Sequence, residues 1–397
     1  MNSRKHSPGL IFLVAALTVG LGCHAQAAPT PGVTDSKIRI AVAGPYTGNA
    51  AVYAQTQLGA IAYLKKINEE GGIHGRQIEI VKADTGCNEV TAISIFKKLI
   101  NDDIFATIGL SCSGPTLAAK PTIIDGQMPT LVTQAVTDSI AQPASPYIFR
   151  GVPNTIDAAR AMVDFIMSRP GENKIGIISH DDEWGRSYHD PEVAYLKEKY
   201  GAEPVADVVM ARGATNVTPQ VLKLRQAGAN YIITNIYPVD TVVFLKEAHT
   251  LSLKGPFISG WVTDLKTTMA RAKDFELVRN YCVLSQLKAP IAADVMKPWT
   301  AVIEKYEPTA TITAFNYLGV GSAVIMVEAL KNAGPELTRE RYLDALNNMK
   351  DFDTGVFAGK VSFSPENHEG NGVAVAECYD SNQVPQFYEK WDKPVAG

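Results

Sequence analysis

Residues 106–133, ATIGLSCSGPTLAAKPTIIDGQMPTLVT, decide the fold class of this chain. Apolar residues 106–110 are typical of a short buried strand, and residues 129–133 form a second run of the same kind. Between them, Ser113-Gly114-Pro115 indicates a helix start, because serine caps helices and proline is tolerated in the first turn. The order strand, helix, strand predicts a βαβ unit with parallel strands.

The same alternation continues on both sides of this unit. Strands are predicted at residues 38–43 and 78–81, each followed by a helix. Beyond the unit, four further strands alternate with helices, at residues 174–179, 204–209, 231–235 and 256–259. After a strand at 281–284 the chain is mostly helical, and from Gly355 it is extended and rich in turns. The pattern predicts an α/β protein with two similar parallel sheets, between which the chain passes more than once.

The composition is that of an ordinary globular protein. Of 397 residues, 46% are hydrophobic and 20% are charged, so the chain can bury the cores of two domains. The formal net charge is −4, and no cluster of basic residues suits a phosphate backbone. We therefore expect no nucleic-acid partner.

The N-terminus predicts export. Residues 4–6 are basic, residues 10–21 are apolar but too short to span a bilayer, and Ala25-Gln26-Ala27 suits a signal peptidase. Residues 1–27 are thus predicted to be a cleaved signal peptide, which places the mature chain in the periplasm. The alternative is a lipoprotein signal ending at Cys23, which lacks the usual large aliphatic residue three positions earlier.

The cysteines favour disulfides over a metal. The mature chain keeps four of them, at Cys87, Cys112, Cys282 and Cys378, an even number in an oxidising compartment. None is spaced as CxxC or accompanied by histidine at a metal-ligand spacing. The sequence therefore predicts no metal and no cofactor. A bridge between Cys282 and Cys378 rests on the even count alone.

Two predicted strand-to-helix turns are rich in small and hydroxyl residues, at 109–116 and 133–138. Such turns direct backbone N–H groups and hydroxyls into the crevice at the carboxyl ends of parallel strands, where a helix N-terminus favours an anion. The first turn contains Ser111 and Ser113, and the second contains Ala135 and Thr137. The alternative is that Ser113 and Thr137 only cap helices.

Three stretches together resemble the branched-chain amino-acid-type periplasmic binding proteins. They are IRIAVAGP at residues 38–45, INEEGGIHGR at 67–76 and HDDEWG at 180–185. The resemblance runs from about Ile38 to the C-terminus. It implies a type I periplasmic binding fold, with two Rossmann-like lobes joined by three hinge crossings. It also implies a disulfide between Cys87 and Cys112.

On this resemblance the lobes comprise residues 35–152 with 286–354 and residues 153–285 with 355–397. The protein would be the extracytoplasmic solute-binding component of an ABC importer. Its partners would be a small carboxylate and the permease subunits in the membrane, and the chain itself would be a monomer.

The resemblance also assigns the ligand site. Ser113 and Thr137 match residues that hold a ligand carboxylate, with Ser111 in the same turn, and Ala135 matches a residue that lends its backbone carbonyl. Aromatic positions that line the cleft fall on Tyr53, Trp184 and Tyr237. The alternative for these three rings is packing in the core or hinge.

One position departs from the amino-acid binders. Trp261 stands where those proteins place a glutamate against the ligand ammonium, and a buried ammonium without a charged partner costs several kcal/mol. With Tyr53, Trp184 and Tyr237, this tryptophan predicts a site for an aromatic carboxylate. A branched-chain amino acid is the alternative, with Asp264 as the acid if the alignment shifts.

Enzymatic functions are disfavoured. The first strand is followed by AGPYTGN and not by GxGxxG, and the chain has neither a GxSxG elbow nor a Walker A motif. His180, Asp181 and Asp182 could form an acid–base pair, but acids at a strand end are more often solvated. A ligand-sensing module of a receptor remains a further alternative.

Overall fold

The computed structural model of the chain describes residues 1–2, 30–48, 50–261 and 264–392. Residues 3–27 of the predicted signal peptide, Cys23 among them, lie outside the described residues. Cleavage and lipid attachment therefore stay predictions. In the described part of the chain, no helix is both long enough and apolar enough to cross a membrane.

The first lobe is built on a sheet of five parallel strands in the order β2-β1-β3-β4-β5. The strands are β1 (Lys37–Gly44), β2 (Gln77–Asp84), β3 (Ala106–Gly109), β4 (Thr130–Val132) and β5 (Ile148–Arg150). Helices α1 (Ala54–Glu69), α2 (Glu89–Asn101) and α3 (Ser113–Asp125) connect the first four. The strand order reverses between β1 and β3, and ligands of open α/β sheets bind at this kind of reversal.

The second lobe is built on a sheet of seven strands in the order β12-β11-β10-β9-β8-β6-β7. Its parallel strands are β6 (Ile175–His180), β7 (Ala206–Met210), β8 (Tyr231–Asn235), β9 (Phe257–Ser259) and β10 (Tyr281–Ser285). Its helices are α4 (Thr155–Met167), α5 (Glu183–Tyr200), α6 (Thr218–Gln226), α7 (Pro238–Thr250), α8 (Leu265–Ala272) and α9 (Phe275–Val278). Two parallel central sheets confirm the predicted α/β class.

The last two strands are antiparallel, which the sequence pattern did not predict. Strand β11 (Val373–Tyr379) pairs with β10, and β12 (Pro385–Asp392) pairs with β11 at the sheet edge. The C-terminal segment was expected to be extended, but its pairing depends on contacts with distant parts of the chain.

Between β10 and β11 the chain returns to the first lobe. Helices α10 (Lys297–Tyr306), α11 (Ala314–Asn332) and α12 (Arg339–Asn347) lie there, and α11 packs along α1. Glycines permit this close approach, since a Cβ atom at Gly59 would lie 1.9 Å from the Asn316 carbonyl oxygen and one at Gly319 would lie 1.8 Å from that of Thr56. These two glycines therefore serve the packing of α11 against α1.

The chain crosses between the lobes three times, after β5, after β10 and before β11. The third crossing comes later than the predicted boundary at Gly355. The Ala358 N–H donates to the Gln286 carbonyl, and the Gly370 N–H donates to the Arg150 carbonyl. Because these hydrogen bonds tie residues 356–370 to the end of β5 and to the second crossing, we assign this segment to the first lobe and not to the second.

The four cysteines in the described part of the chain form two pairs. Cys87 and Cys112 have sulfur atoms 2.11 Å apart and link the loop after β2 to the start of α3. Cys282 and Cys378 have sulfur atoms 2.08 Å apart and face each other across β10 and β11. The first pairing is the one that the resemblance implied, and the second is the one that the even count suggested.

Candidate ligand-binding cleft

The carboxyl ends of the parallel strands in the two lobes face each other across a cleft. A small cavity of about 20 Å³, called the inner cavity below, lies at its centre. Its lining residues come from both lobes: Tyr53, Ser111, Ser113, Gln134 and Val136 from the first, and Trp184, Tyr237 and Trp261 from the second. Six of the eight predicted site residues therefore meet at one place.

The first-lobe side of the inner cavity carries hydroxyl donors. Ser113 is the first residue of α3, and its Oγ accepts from the Thr137 N–H at 3.4 Å. The Ser111 Oγ accepts from the Gln57 Nε2 at 2.9 Å. Because each oxygen accepts a hydrogen bond from the protein, each hydroxyl hydrogen is left to donate. The N-terminus of α3 adds a partial positive charge, so this wall suits an anion.

Gln134 adds a third donor, which the sequence analysis missed. The Thr56 hydroxyl donates to the Gln134 Oε1 at 2.6 Å, so the amide Nε2 is the end of the side chain that can donate. Gln134 lies in the turn at residues 133–138 that the sequence singled out. Its role depends on Thr56 in α1, so the local sequence pattern carried no signal for it.

The second-lobe side of the inner cavity is aromatic. The ring centroids of Trp184 and Tyr237 are 4.7 Å apart with an interplanar angle of 38°. Across the cleft, the Tyr53 ring meets Tyr237 nearly edge-on, at 6.3 Å and 70°. The Trp261 indole N–H donates to the Asn154 carbonyl at 3.2 Å, which leaves its ring to form apolar wall. A planar solute would find ring surfaces here on both lobes.

Burial makes the two tyrosines harder to ionise than free tyrosine. It raises the pKa of Tyr237 to about 12 and the pKa of Tyr53 well above its usual value near 10. Both phenols therefore remain neutral at physiological pH. A neutral phenol can donate a hydrogen bond, whereas a phenolate would repel a carboxylate ligand.

Two predicted site residues, Ala135 and Thr137, are not among the residues that line the inner cavity. Their carbonyl oxygens accept from the buried guanidinium of Arg150, at 3.3 Å and 2.8 Å. The Thr137 Oγ1 lies 3.5 Å from the Ser187 Oγ of the second lobe. Ala135 and Thr137 thus stabilise the turn, since their carbonyls bind the Arg150 guanidinium in the protein interior. The Thr137 side chain also contacts the opposite lobe. The sequence analysis did not single out Arg150.

Asp264, the alternative acid for an ammonium, lies behind Trp261. Its carboxylate caps α8 by accepting from the Thr267 N–H at 2.7 Å and the Thr267 hydroxyl at 2.9 Å. With Glu377 it lines a separate small cavity at the hinge, on which Trp261 also borders. None of the described residues that line the inner cavity is acidic.

A larger cavity of about 590 Å³, the outer cavity, shares Tyr53 and Tyr237 with the inner one. It opens at the mouth of the cleft and includes Arg212 and Arg271 of the second lobe, neither of which the sequence analysis singled out. In the described part of the chain, no three His, Cys, Asp or Glu side chains are grouped so as to hold a metal ion.

Comparison with curated proteins finds relatives over most of the chain. The chain is 26% identical over 274 residues to an amino acid binding protein of Pseudomonas aeruginosa, a match that covers 68% of this chain and 71% of the relative. It is 24% identical over 238 residues to the Leu/Ile/Val-binding protein of Escherichia coli, covering 60% of this chain and 64% of the relative.

Solved structures share the fold. A fatty acid ABC transporter substrate-binding protein from Thermomonospora curvata superposes with a TM-score of 0.80 at 22% identity, covering 91% of this chain and 95% of that one. A branched-chain amino acid transporter substrate-binding protein from Streptococcus pneumoniae, in complex with isoleucine, superposes with a TM-score of 0.78 at 19% identity, covering 89% and 99%.

The family assignment rests on a match along nearly the whole described chain. The model of the periplasmic binding protein family matches residues 37–380, which include both lobes and all three crossings. This chain belongs to the periplasmic binding protein family.

Proposed function

We propose that this protein is the extracytoplasmic solute-binding component of an ABC importer, and that its solute is an aromatic carboxylate. One observation carries the choice of solute. The inner cavity combines hydroxyl and amide donors on one wall with four aromatic rings, and none of its described lining residues is acidic.

The donors suit a carboxylate. The Ser111 and Ser113 hydroxyls and the Gln134 amide all lie on the first-lobe side, beside the N-terminus of α3. Hydrogen bonds to an ionised group contribute about 1.5–3 kcal/mol each, roughly twice as much as neutral ones. Three such donors can bind a carboxylate without a cationic side chain.

The absence of an acid among the described lining residues disfavours an α-amino acid. An ammonium buried against Trp261 would gain only a cation–π contact, worth about 0.5–2 kcal/mol, against a desolvation cost of several kcal/mol. A solute without an ammonium avoids that cost. An aromatic ring also gains about 0.5–1.5 kcal/mol for each well-placed aromatic partner.

An amino-acid solute is the second candidate. The names of the curated relatives favour it, since those proteins are described as binding amino acids or leucine, isoleucine and valine. In that case Asp264, which lies behind Trp261, would have to reach the ammonium.

Closure of the two lobes would couple binding to transport. The inner cavity takes residues from both lobes, so a solute stabilises the closed form more than the open one. The permease would then recognise the closed form. The predicted signal peptide supports a periplasmic location, and we expect the chain to act there as a monomer without catalysis of its own.

Isothermal titration with matched solutes tests the proposal. 3-Phenylpropanoate and phenylalanine differ only in the α-ammonium, as do 4-methylpentanoate and leucine. We expect each acid without the ammonium to bind at least about tenfold more tightly, equivalent to about 1.4 kcal/mol, and the aromatic acid to bind more tightly than the aliphatic one. Tight binding of leucine, with no detectable binding of 3-phenylpropanoate or 4-methylpentanoate, would overturn the proposal. Asp264→Asn should then abolish binding, while Trp261→Ala should matter little.

A further inference from the structure

The cleft offers much more room than a small monocarboxylate fills. The inner cavity holds about 20 Å³, whereas the outer cavity that adjoins it holds about 590 Å³. Tyr53 and Tyr237 border both, so a solute anchored in the inner cavity would extend past these two rings into the outer one. A cavity of this size is typical of sites that bind an extended small molecule.

One wall of the outer cavity presents a fixed guanidinium. Arg212 lies over the face of the Tyr237 ring, with its guanidinium carbon 4.4 Å from the ring centroid. Its Nη2 donates to the Tyr237 hydroxyl at 3.1 Å, and its Nε lies 2.5 Å from the Asp182 carboxylate. These contacts hold the side chain in place before a ligand binds, so little conformational entropy remains to be lost.

A second guanidinium borders the same cavity. Arg271 lies in the last turn of α8, and it forms no salt bridge within the described part of the chain. It is exposed at the mouth of the cleft. An anion that entered the outer cavity would therefore meet one cation that is already oriented and one that has no acidic partner there.

The acidic residues near the outer cavity do not neutralise both Arg212 and Arg271. Asp182 is paired with Arg212. Asp240 is the acidic residue among those found to line the outer cavity, and it is 4% exposed. Its carboxylate accepts from the Gly213 N–H at 3.0 Å and lies 3.2 Å from the His180 Nε2, so it is turned into the second lobe.

We infer that the solute carries a second carboxylate, which binds in the outer cavity against Arg271 and Arg212. The solute class is thus an elongated aromatic dicarboxylate. Its first carboxylate lies at Ser111, Ser113 and Gln134, its ring lies against Tyr53 and Tyr237 where they border the outer cavity, and its second carboxylate lies at the mouth of the cleft. This inference rests on the proposed function and names the part of the solute that the inner cavity does not hold.

The test compares two solutes and three proteins. Cinnamate and 4-carboxycinnamate differ only in the second carboxylate. Arg271→Gln removes the unpaired guanidinium, and Arg279→Gln is the matched control, because Arg279 is an exposed arginine of the same lobe that pairs with Glu276 outside the cavity. Isothermal titration of both solutes against the parent protein and the two variants gives six affinities.

In the parent protein, we expect 4-carboxycinnamate to bind about tenfold more tightly than cinnamate. Arg271→Gln should remove most of that advantage and leave the affinity for cinnamate within about twofold of the parent value. Arg279→Gln should change the affinity for neither solute. If cinnamate binds and the second carboxylate brings no advantage, or if Arg271→Gln weakens both solutes equally, the inference is wrong and the proposed function stands. If neither acid binds and leucine does, both are wrong.

Discussion

Ser113 combines a structural role with a binding role. It begins α3, where the helix N-terminus is electropositive, and its Oγ accepts from the Thr137 N–H across the two turns of the first lobe. The oxygen therefore ties the turns together while the hydrogen remains for a solute. The sequence offered a helix cap as the alternative role of Ser113, but the N-cap position of α3 is Cys112 and the Ser113 hydroxyl bonds to the second turn and not to the backbone of its own helix.

Ser113→Ala should weaken solute binding by about 1.5–3 kcal/mol, or about tenfold or more, because it removes a hydrogen bond to a charged group. Thr137→Ala should cost less, since Thr137 does not line the inner cavity. Ser139→Ala, an exposed serine just beyond the second turn, is the control. Titration with the best-binding acid gives the ranking, and thermal melts check the fold. Equal losses for Ser113 and Ser139 would show that Ser113 does not contact the solute.

At the scale of elements, the short strand β5 joins the site to the hinge. Its last residue, Arg150, is fully buried and forms an ion pair with Glu369, in the segment that leads to the third crossing. The same guanidinium binds the carbonyls of Ala135 and Thr137. The Asn154 Nδ2 donates to the Glu369 carboxylate at 2.7 Å and adds the first crossing to the network.

Arg150→Met should destabilise the fold by about 3–5 kcal/mol, because it leaves the Glu369 carboxylate buried without its charged partner. Arg150→Met combined with Glu369→Leu should recover a large part of that loss, since it removes both charges. Lys197→Met, which breaks an exposed pair with Glu203, should cost less than about 1 kcal/mol. Urea unfolding measures all three. A double variant as unstable as the single one would show that shape, and not charge, makes Arg150 necessary.

The sequence predicted elements well where local signals agree. Helix α11 lies in the stretch that was expected to be mostly helical, and a capping box formed by Thr313 and Asn316 marks its start. Strand β5 was missed, since only Ile148 and Phe149 are apolar in it and its third residue is the charged but buried Arg150. The position of residues 356–370 in the first lobe was missed because it depends on hydrogen bonds to Gln286 and Arg150, far away in sequence. Gln134 was missed for the same reason, as its partner Thr56 lies 78 positions away.

At the scale of the whole molecule, two buried carboxyls link stability to pH. Burial raises the pKa of Glu192, on α5, to about 8. Burial, and then the charge of Asp264, raises the pKa of Glu377, on β11, to about 8. Both groups bind protons more tightly in the folded chain than in the unfolded chain, where their pKa is near 4.5. Their contribution to stability is complete below about pH 4.5 and is lost as the pH rises towards 8.

The free energy of unfolding should therefore fall between about pH 5.5 and about pH 8, by up to about 1.4 kcal/mol per pH unit for each carboxyl. Glu192→Gln and Glu377→Gln should each flatten the profile, because glutamine stays neutral. The control is Glu198→Gln, an exposed position on α5, which should leave the slope unchanged. Urea unfolding across this range measures the effect. A stability that is flat or rises with pH would mean that these carboxyls are ionised in the folded protein.

The disulfide between Cys282 and Cys378 has a mechanical consequence. It joins β10, which leads out to the second crossing, to β11, which receives the third, so these two strands cannot shear past each other. On the other side of the joint, the Arg150–Glu369 pair fastens the first crossing to the third. The disulfide and the ion pair together hold the strands and segments at the three crossings in fixed positions relative to one another. Any closure over a solute would therefore have to bend the backbone at these crossings and could not slide them past one another.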